Sequence, residues 1–261
     1  RIKIIAKLDI AERRFPQDGK IRVKYDDTII EYRVVTIPTS GDNEDAVIRI
    51  LSSGKPIPLE KMKFSERNLI LIKDQIEKPY GLILVVGPTG SGKTTTLHSC
   101  LSHINRAETK IWTAEDPIEI LQKGLRQVQI TNRINFGFSD AMKTFLRGDP
   151  DVIMIGEMRD HETFEAAIRA AETGHLVFGT IHASSAWQTF GRIYDLFPEG
   201  ERPQIRKLLG HNLRAIVYQK LLPTLHEDVA RIPALEILLD TPIVAKYVLE
   251  GREGELLEVI K

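Results

Sequence analysis

The chain has 261 residues, 42% of them hydrophobic, with 36 basic and 36 acidic side chains and a formal net charge of zero. That is apolar material for one large or two ordinary domains, without the basic excess of a protein whose main partner is nucleic acid. The one cysteine, Cys100, excludes a disulfide framework and a cysteine zinc cluster, and on an apolar helix face it reads as inert packing. No apolar stretch approaches the length of a membrane-spanning helix and no signal peptide is visible, so a soluble, cytoplasmic protein is expected. The opening at Arg1, without a methionine, reads as a fragment of something longer.

In chain order, residues 21–25 alternate as a half-buried strand does. Asp26-Asp27 then turns the chain into a second strand over 29–35. A polar loop at 39–45 leads to a third strand at 46–51. Ser52-Ser53-Gly54-Lys55-Pro56, followed by Pro58, breaks the pattern. The domain boundary falls there, giving a small domain over 1–55 and a larger one over 56–261. Helical periodicity then runs over 65–77 through Leu69, Ile72 and Ile76, with Ser65 placed to cap it.

From Leu82 onward short apolar runs alternate with helical stretches. Residues 82–86, 111–114, 152–155 and 176–180 suit strands of a parallel sheet buried on both faces. Helices are expected at 139–146 and 162–172, and 202–218 and 241–260 read mainly helical. This alternation is a doubly wound α/β signature. Directly after the first run comes Gly87-Pro88-Thr89-Gly90-Ser91-Gly92-Lys93-Thr94, a complete G-x-x-x-x-G-K-[ST] phosphate loop. Strand before and helix after make it an anion nest of backbone N–H groups at a positive helix end. Lys93 would reach the β- and γ-phosphates of a nucleoside triphosphate, with Thr95 at the head of the same helix, and the Thr94 hydroxyl would ligate Mg²⁺.

A phosphate loop does not name a reaction. Acidic residues at strand ends, where open α/β sheets hold their ligands, narrow it. Glu115 follows the second strand and Glu157 the third, while His175 and His182 bracket the fourth. Triphosphate hydrolysis needs Mg²⁺ held in place and a water polarised by a carboxylate, and Glu115 and Glu157 are the pair available for those tasks. Each could be an ordinary solvated strand end, and the histidines satisfied edge residues. Lying together after a phosphate loop, they point to function. Arg33 and Arg49, on separate strands of the first domain, are either solvated strand-face charges or guanidinium forks presented to the γ-phosphate as the small domain closes.

Four blocks together resemble one family: GPTGSGKTTTL at 87–97, AEDPIE at 114–119, LRGDPDVIMIGEMRD at 146–160 and AAETGHLVFGTIHA at 170–183. They are similar, in order, to the Walker A, Asp, Walker B and His boxes of the secretion ATPase superfamily, the hexameric motors of type II secretion and type IV pilus systems. Residues 8–19, 32–39 and 47–51 resemble the family's second N-terminal domain. The resemblance implies a RecA-like parallel-sheet ATPase domain over 56–261 with C-terminal helices, preceded over 1–55 by a small α/β, PAS-like domain, cut short. It also implies nucleotide-sensing roles for Arg33 and Arg49, Glu115 as the water-polarising base and Glu157 as the Mg²⁺ partner. His182 joins the catalytic set, and His175 joins residues 87–95 at the nucleotide.

By the same resemblance, Mg²⁺-dependent hydrolysis of ATP to ADP in a homo-hexamer is expected. The partner implied is a platform protein of the inner membrane, with the motor cytoplasmic at the inner face and membrane-associated only through partners. No zinc and no nucleic acid are expected. Members for assembly and secretion typically carry a four-cysteine zinc motif that this chain lacks, and 219–223 looks more like the retraction motors. Yet Ala245 and Leu249 stand where retraction motors carry the arginines of a C-terminal motif. The reading is therefore an assembly or secretion motor, with retraction the alternative. A nucleic-acid translocase, a nucleotide-gated binding protein with little turnover, and a small-molecule kinase are the rivals from other classes.

Overall fold

The computed structural model describes residues 1–26, 28–51, 55–131, 136–225 and 229–258. The expected break at Ser52-Ser53-Gly54, the second residue of the Asp26-Asp27 turn and the last positions of the helix expected at 241–260 lie outside them. The chain divides into two compact units, Arg1–Lys55 with Glu119–Leu121, and Pro56–Ile118 with Gln122–Lys261.

In the first unit a helical turn, α1 (Ile2–Ile5), precedes strands β1 (Gln17–Tyr25), β2 (Thr28–Pro38) and β3 (Glu44–Leu51). They form an antiparallel sheet in the order β1-β2-β3. Because side chains alternate across a strand, register sorts them by face. Ile21, Tyr32 and Ile50 stand opposite one another, as do Gly19, Val34 and Ile48, and this face carries the apolar residues. Fully buried Val34 packs there with Ala6, Leu8 and Ile21. The other face is charged, with Lys20, Arg33 and Arg49 in one row.

The second unit is a seven-stranded sheet in the order β10-β9-β4-β8-β7-β5-β6. Its strands are β4 (Gly81–Val86), β5 (Ile111–Glu115), β6 (Arg126–Gln129), β7 (Val152–Ile155), β8 (Leu176–Ile181), β9 (Leu213–Pro223) and β10 (Arg231–Leu239). All pairings are parallel except β9 with β10. Helices α2 (Glu66–Ile76) and α3 (Lys93–Ile104) cover one face, and α4 (Phe138–Phe145), α5 (His161–Glu172), α6 (Thr189–Tyr194), α7 (Arg202–Asn212) and α8 (Pro242–Glu250) belong to the other. Strand β4 shows why its run is unbrokenly apolar. Leu82, Leu84 and Val86 enter the cluster with Phe145, Phe164 and Ile168, whereas Ile83 and Val85 enter the cluster with Leu97, Cys100 and Leu101. A strand buried on both faces has no solvent side on which to alternate. Ser65 caps α2, its hydroxyl accepting from the Asn68 amide at 3.3 Å. Asp160 caps α5 in the same way, accepting from the Thr163 amide at 2.8 Å.

One expected helix needs correction, and two strands were not expected. Residues 202–218 are not one helix: α7 ends at Asn212 and the chain continues directly into β9, which pairs parallel to β4. The run Leu213-Arg214-Ala215-Ile216-Val217 gains a sheet partner and a dry environment there, and those gains outweigh its weak local preference. Strand β10 then returns antiparallel, so the C-terminal part adds strands as well as helices. Short β6 was not expected either. Among the described residues no helix is long and apolar enough to cross a membrane.

Candidate functional site

The site gathers at the carboxyl ends of the parallel strands, the edge where open α/β sheets place ligands. Strand β4 ends at Val86 and the glycine-rich loop carries the chain into α3, which starts at Lys93. Helix α3 has no side-chain cap at its N-terminus, where Gly92 is left-handed with φ 89°. Its first N–H groups therefore point out of the helix end without an intrahelical acceptor. Gly87, with φ 144°, lies so close to β9 that an added Cβ would stand 2.3 Å from the Gln219 carbonyl oxygen. Gly90, with φ 75°, has no described residue within 4 Å of where a Cβ would go. The loop is thus pinned against β9 at its start and open at its crown.

Lys93 is half-buried, and its ammonium donates to the carbonyl oxygens of Gly87 and Pro88, each at 3.0 Å. Burial pulls its pKa below the ordinary lysine value, and Glu157 draws it part of the way back. The Ser91 hydroxyl is buried in the loop and has no hydrogen-bond partner among the described residues. An orphaned buried hydroxyl, a half-buried ammonium and unpaired helix N–H groups around an open crown suit a phosphate chain. Thr94 and Thr95 follow, both half-buried at the head of α3.

Glu157 follows β7, which β8 separates from β4. The strand ends are laced together: the Thr180 hydroxyl donates to the Gly156 carbonyl oxygen at 2.6 Å, and the Met158 amide to the Thr180 carbonyl oxygen at 2.9 Å. His182, exposed at the end of β8, places its Nε2 3.2 Å from Glu157 Oε1. Arg159 Nη2 donates to Glu157 Oε2 at 2.5 Å. Burial raises the Glu157 pKa, but the Arg159 hydrogen bond and the charges of Arg159, His182 and Lys93 win and hold it below the usual carboxylate range. Glu157 is therefore an anion that feels the loop lysine. A hard cation such as Mg²⁺ takes oxygen ligands, and the half-buried Thr94 hydroxyl and the Glu157 carboxylate fit that donor set. Among the described residues no group of three or more His, Cys, Asp or Glu side chains stands ready to hold a metal.

Glu115 ends β5 and is buried at 3% exposure. Its Oε1 accepts from the Thr113 hydroxyl at 2.6 Å and from Gln127 Nε2 at 3.0 Å, while Oε2 lies 3.0 Å from His98 Nε2 on α3. A buried carboxylate is tolerable only with such partners. Arg33 and Arg49 are directly opposite each other in the β2–β3 register, and Arg33 also holds Asp18 through its Nε and Nη2.

The expectation that His175 binds nucleotide is corrected. His175 precedes β8 at the amino end of the sheet: its carbonyl oxygen accepts from the Gly81 amide at the start of β4, and its Nδ1 is 3.0 Å from the Ala170 carbonyl oxygen. The loop lies at the opposite end of β4, so the two histidines bracketing β8 are a strand length apart and only His182 is near Glu157.

Gln219, His98, Gln122 and Gln127 were missed. Gln219 on β9 is 1% exposed; it donates to the Ser91 carbonyl oxygen at 2.6 Å and accepts from the Thr96 hydroxyl at 2.6 Å. The available signal was a polar residue closing the apolar run Ala215-Ile216-Val217-Tyr218, which on a strand of the site edge means a buried amide with a task.

Residues 1–248 match the family described as type II/IV secretion system protein. The type II secretion system protein E of Pectobacterium carotovorum subsp. carotovorum is 43% identical over 229 residues, 87% of this chain and 45% of that protein. The type IV pilus assembly ATPase PilB of Myxococcus xanthus (strain DK1622) is 47% identical over 198 residues, 75% of this chain and 35% of that one. The chain thus spans less than half the length of these two relatives. The crystal structure of the pilus retraction motor PilT with bound ADP superposes with a TM-score of 0.82 at 35% identity, covering 94% of this chain and 69% of that one.

Proposed function

The chain belongs to the type II/IV secretion system protein family, and from that premise we propose that it hydrolyses ATP as part of a motor that drives pilus or pseudopilus assembly or type II protein secretion. The observation that carries the reading is Lys93, half-buried in a loop with an orphaned Ser91 hydroxyl and electrostatically coupled to the anionic Glu157. The solved relative with ADP supports a nucleotide as the occupant.

In this reading Lys93 exchanges the Gly87 and Pro88 carbonyls for the β- and γ-phosphates, the N–H groups at the head of α3 and the Ser91 hydroxyl take phosphate oxygens, and Thr95 lies beside them. Mg²⁺, when bound, supplies charge neutralisation at the phosphates, and Thr94 and Glu157 would hold it. Glu115 receives the proton of the water whose oxygen bonds to the γ-phosphorus as the bond to the leaving ADP oxygen breaks. His182 keeps Glu157 oriented. Arg33 and Arg49 meet the phosphate charge as the small domain, 1–55, moves against the ATPase domain, 56–261. Most of the acceleration then comes from positioning and fixed charge. A homo-hexamer working on an inner-membrane platform protein from the cytoplasmic face, with no zinc and no nucleic acid, completes the proposal.

The test is turnover and ATP binding of Glu115→Gln and Glu157→Gln in the full-length protein. Both variants are expected to bind ATP and to lose about 100-fold or more in kcat. Retained turnover in both would overturn the assignment, and DNA-stimulated hydrolysis would favour a translocase instead. The retraction reading is supported by the superposition on PilT at a TM-score of 0.82, beside the likeness of residues 219–223 and the missing cysteines. A strain lacking the protein decides: bare cells or lost secretion support assembly or secretion, and excess filaments support retraction.

A further inference from the structure

Behind Glu115 lies a buried histidine that the mechanism above does not use. His98 stands on the second turn of α3, the helix that begins at the glycine-rich loop, and is 0% exposed. Its surroundings fix its tautomer. One atom, Gln122 Nε2, lies 2.9 Å from the His98 backbone carbonyl oxygen and 2.7 Å from His98 Nδ1. A carbonyl oxygen only accepts, so that atom is the amide NH₂, and Nδ1 must accept from it as well. The ring proton is therefore on Nε2, which faces Glu115 Oε2 at 3.0 Å. An ionised carboxylate offers about four lone-pair positions. Thr113 and Gln127 fill the two on Oε1, and His98 fills one of the two on Oε2.

We propose that His98 is the positioning residue for Glu115: it donates to Oε2, aims the remaining lone pair of that oxygen at the attacking water, and ties the carboxylate to the helix whose first turn holds the phosphates. This rests on the reading of Glu115 as the base. Phosphate arriving at the N-terminus of α3 and the aim of the base two strands beyond β8 then become one mechanical event. Gln122, 8% exposed, holds the far side of the ring.

The experiment compares His98→Gln with His98→Asn in the full-length protein, alone and with Glu115→Gln, by steady-state ATP hydrolysis, fluorescent-ADP binding and thermal melting. A glutamine amide reaches the position of Nε2 and keeps a donor for Glu115. An asparagine amide is equally polar but ends near Nδ1, short of Glu115. Expected is a loss of roughly 10- to 100-fold in kcat for His98→Asn, the scale of a misplaced catalytic group, with KM and the ADP dissociation constant unchanged within about threefold. His98→Gln should restore kcat to within about threefold of the parent, and His98→Asn should add nothing in the Glu115→Gln background because the two act as one unit. Parental turnover in His98→Asn, equal impairment of both variants, additive loss in the double variant, or loss of ADP binding and fold in His98→Asn would each overturn the proposal. The underlying reading fails separately: Glu115→Gln alone would then turn over like the parent.

Discussion

Gln219, on β9, donates its side-chain amide to the Ser91 carbonyl oxygen in the glycine-rich loop at 2.6 Å, a bond between residues 128 positions apart. The same side chain accepts from the Thr96 hydroxyl on α3, so one buried amide holds both the loop and the helix it feeds. Changing Gln219 to Leu leaves the Ser91 carbonyl and Thr96 hydroxyl without this partner, a cost of about 1–3 kcal/mol for each buried group. A lower melting temperature and about tenfold weaker ADP binding are expected. Parental values in both titration and melting would remove Gln219 from the site.

The glycines of the loop separate two physical effects. A Cβ at Gly87 meets the Gln219 carbonyl oxygen at 2.3 Å on a backbone with φ 144°, whereas one at Gly90 meets nothing within 4 Å at φ 75°. Gly90→Ala therefore costs only the left-handed strain, about 1–2 kcal/mol. Gly87→Ala adds a backbone clash to that strain and is expected to be the more destabilised of the two in chemical denaturation. The reverse order would mean that the loop does not seat on β9 as described.

Glu157 carries a pH signature. Its folded pKa is held below the usual carboxylate value, so its ionic contribution is complete above the unfolded pKa, about 4.3 for glutamate, and is lost as pH falls through the lower folded value. Below about pH 5.5 the melting-temperature gap between the parent and Glu157→Gln should close as conditions become more acidic. A gap that widens below about pH 5 would contradict the sign.

Arg33 and Arg49 face one another across β2 and β3, and like charges directly opposite cost about 0.2–1 kcal/mol. Arg49→Gln should leave the melting temperature equal or slightly higher while slowing ATP hydrolysis, the mark of a charge kept for function. Arg33→Ala should slow hydrolysis and also lose the Asp18 ion pair. Unaltered rates in both variants would end the proposed phosphate role.

Much of this was legible along the chain because the signals are local. The strand before the loop, the glycines and Lys93 of the loop, and the Ser65 cap depend on backbone conformation within a few residues. Residues 202–218 misled because Gly210 lies inside the last turn of α7 and no residue separates the helix from β9: Asn212 ends the helix and Leu213 opens the strand. The β-branched run at Ile216-Val217 was the weak sign of a strand, and only the vacant edge of β4 turned it into one.

By itself the sequence determined that a parallel-sheet unit carries a phosphate-type loop with carboxylates at neighbouring strand ends, since hydrophobic period and turn chemistry are written residue by residue. Which polar groups meet was decided only in three dimensions. Strand order β4-β8-β7-β5 puts Glu157 beside His182 and turns Glu115 back onto His98 of α3, while β9 brings Gln219 under the loop. It also sends His175 to the opposite end of the sheet. Those meetings depend on which strands pair and on the direction of each buried side chain, and both follow from packing a whole sheet between two layers of helices, which no local window contains.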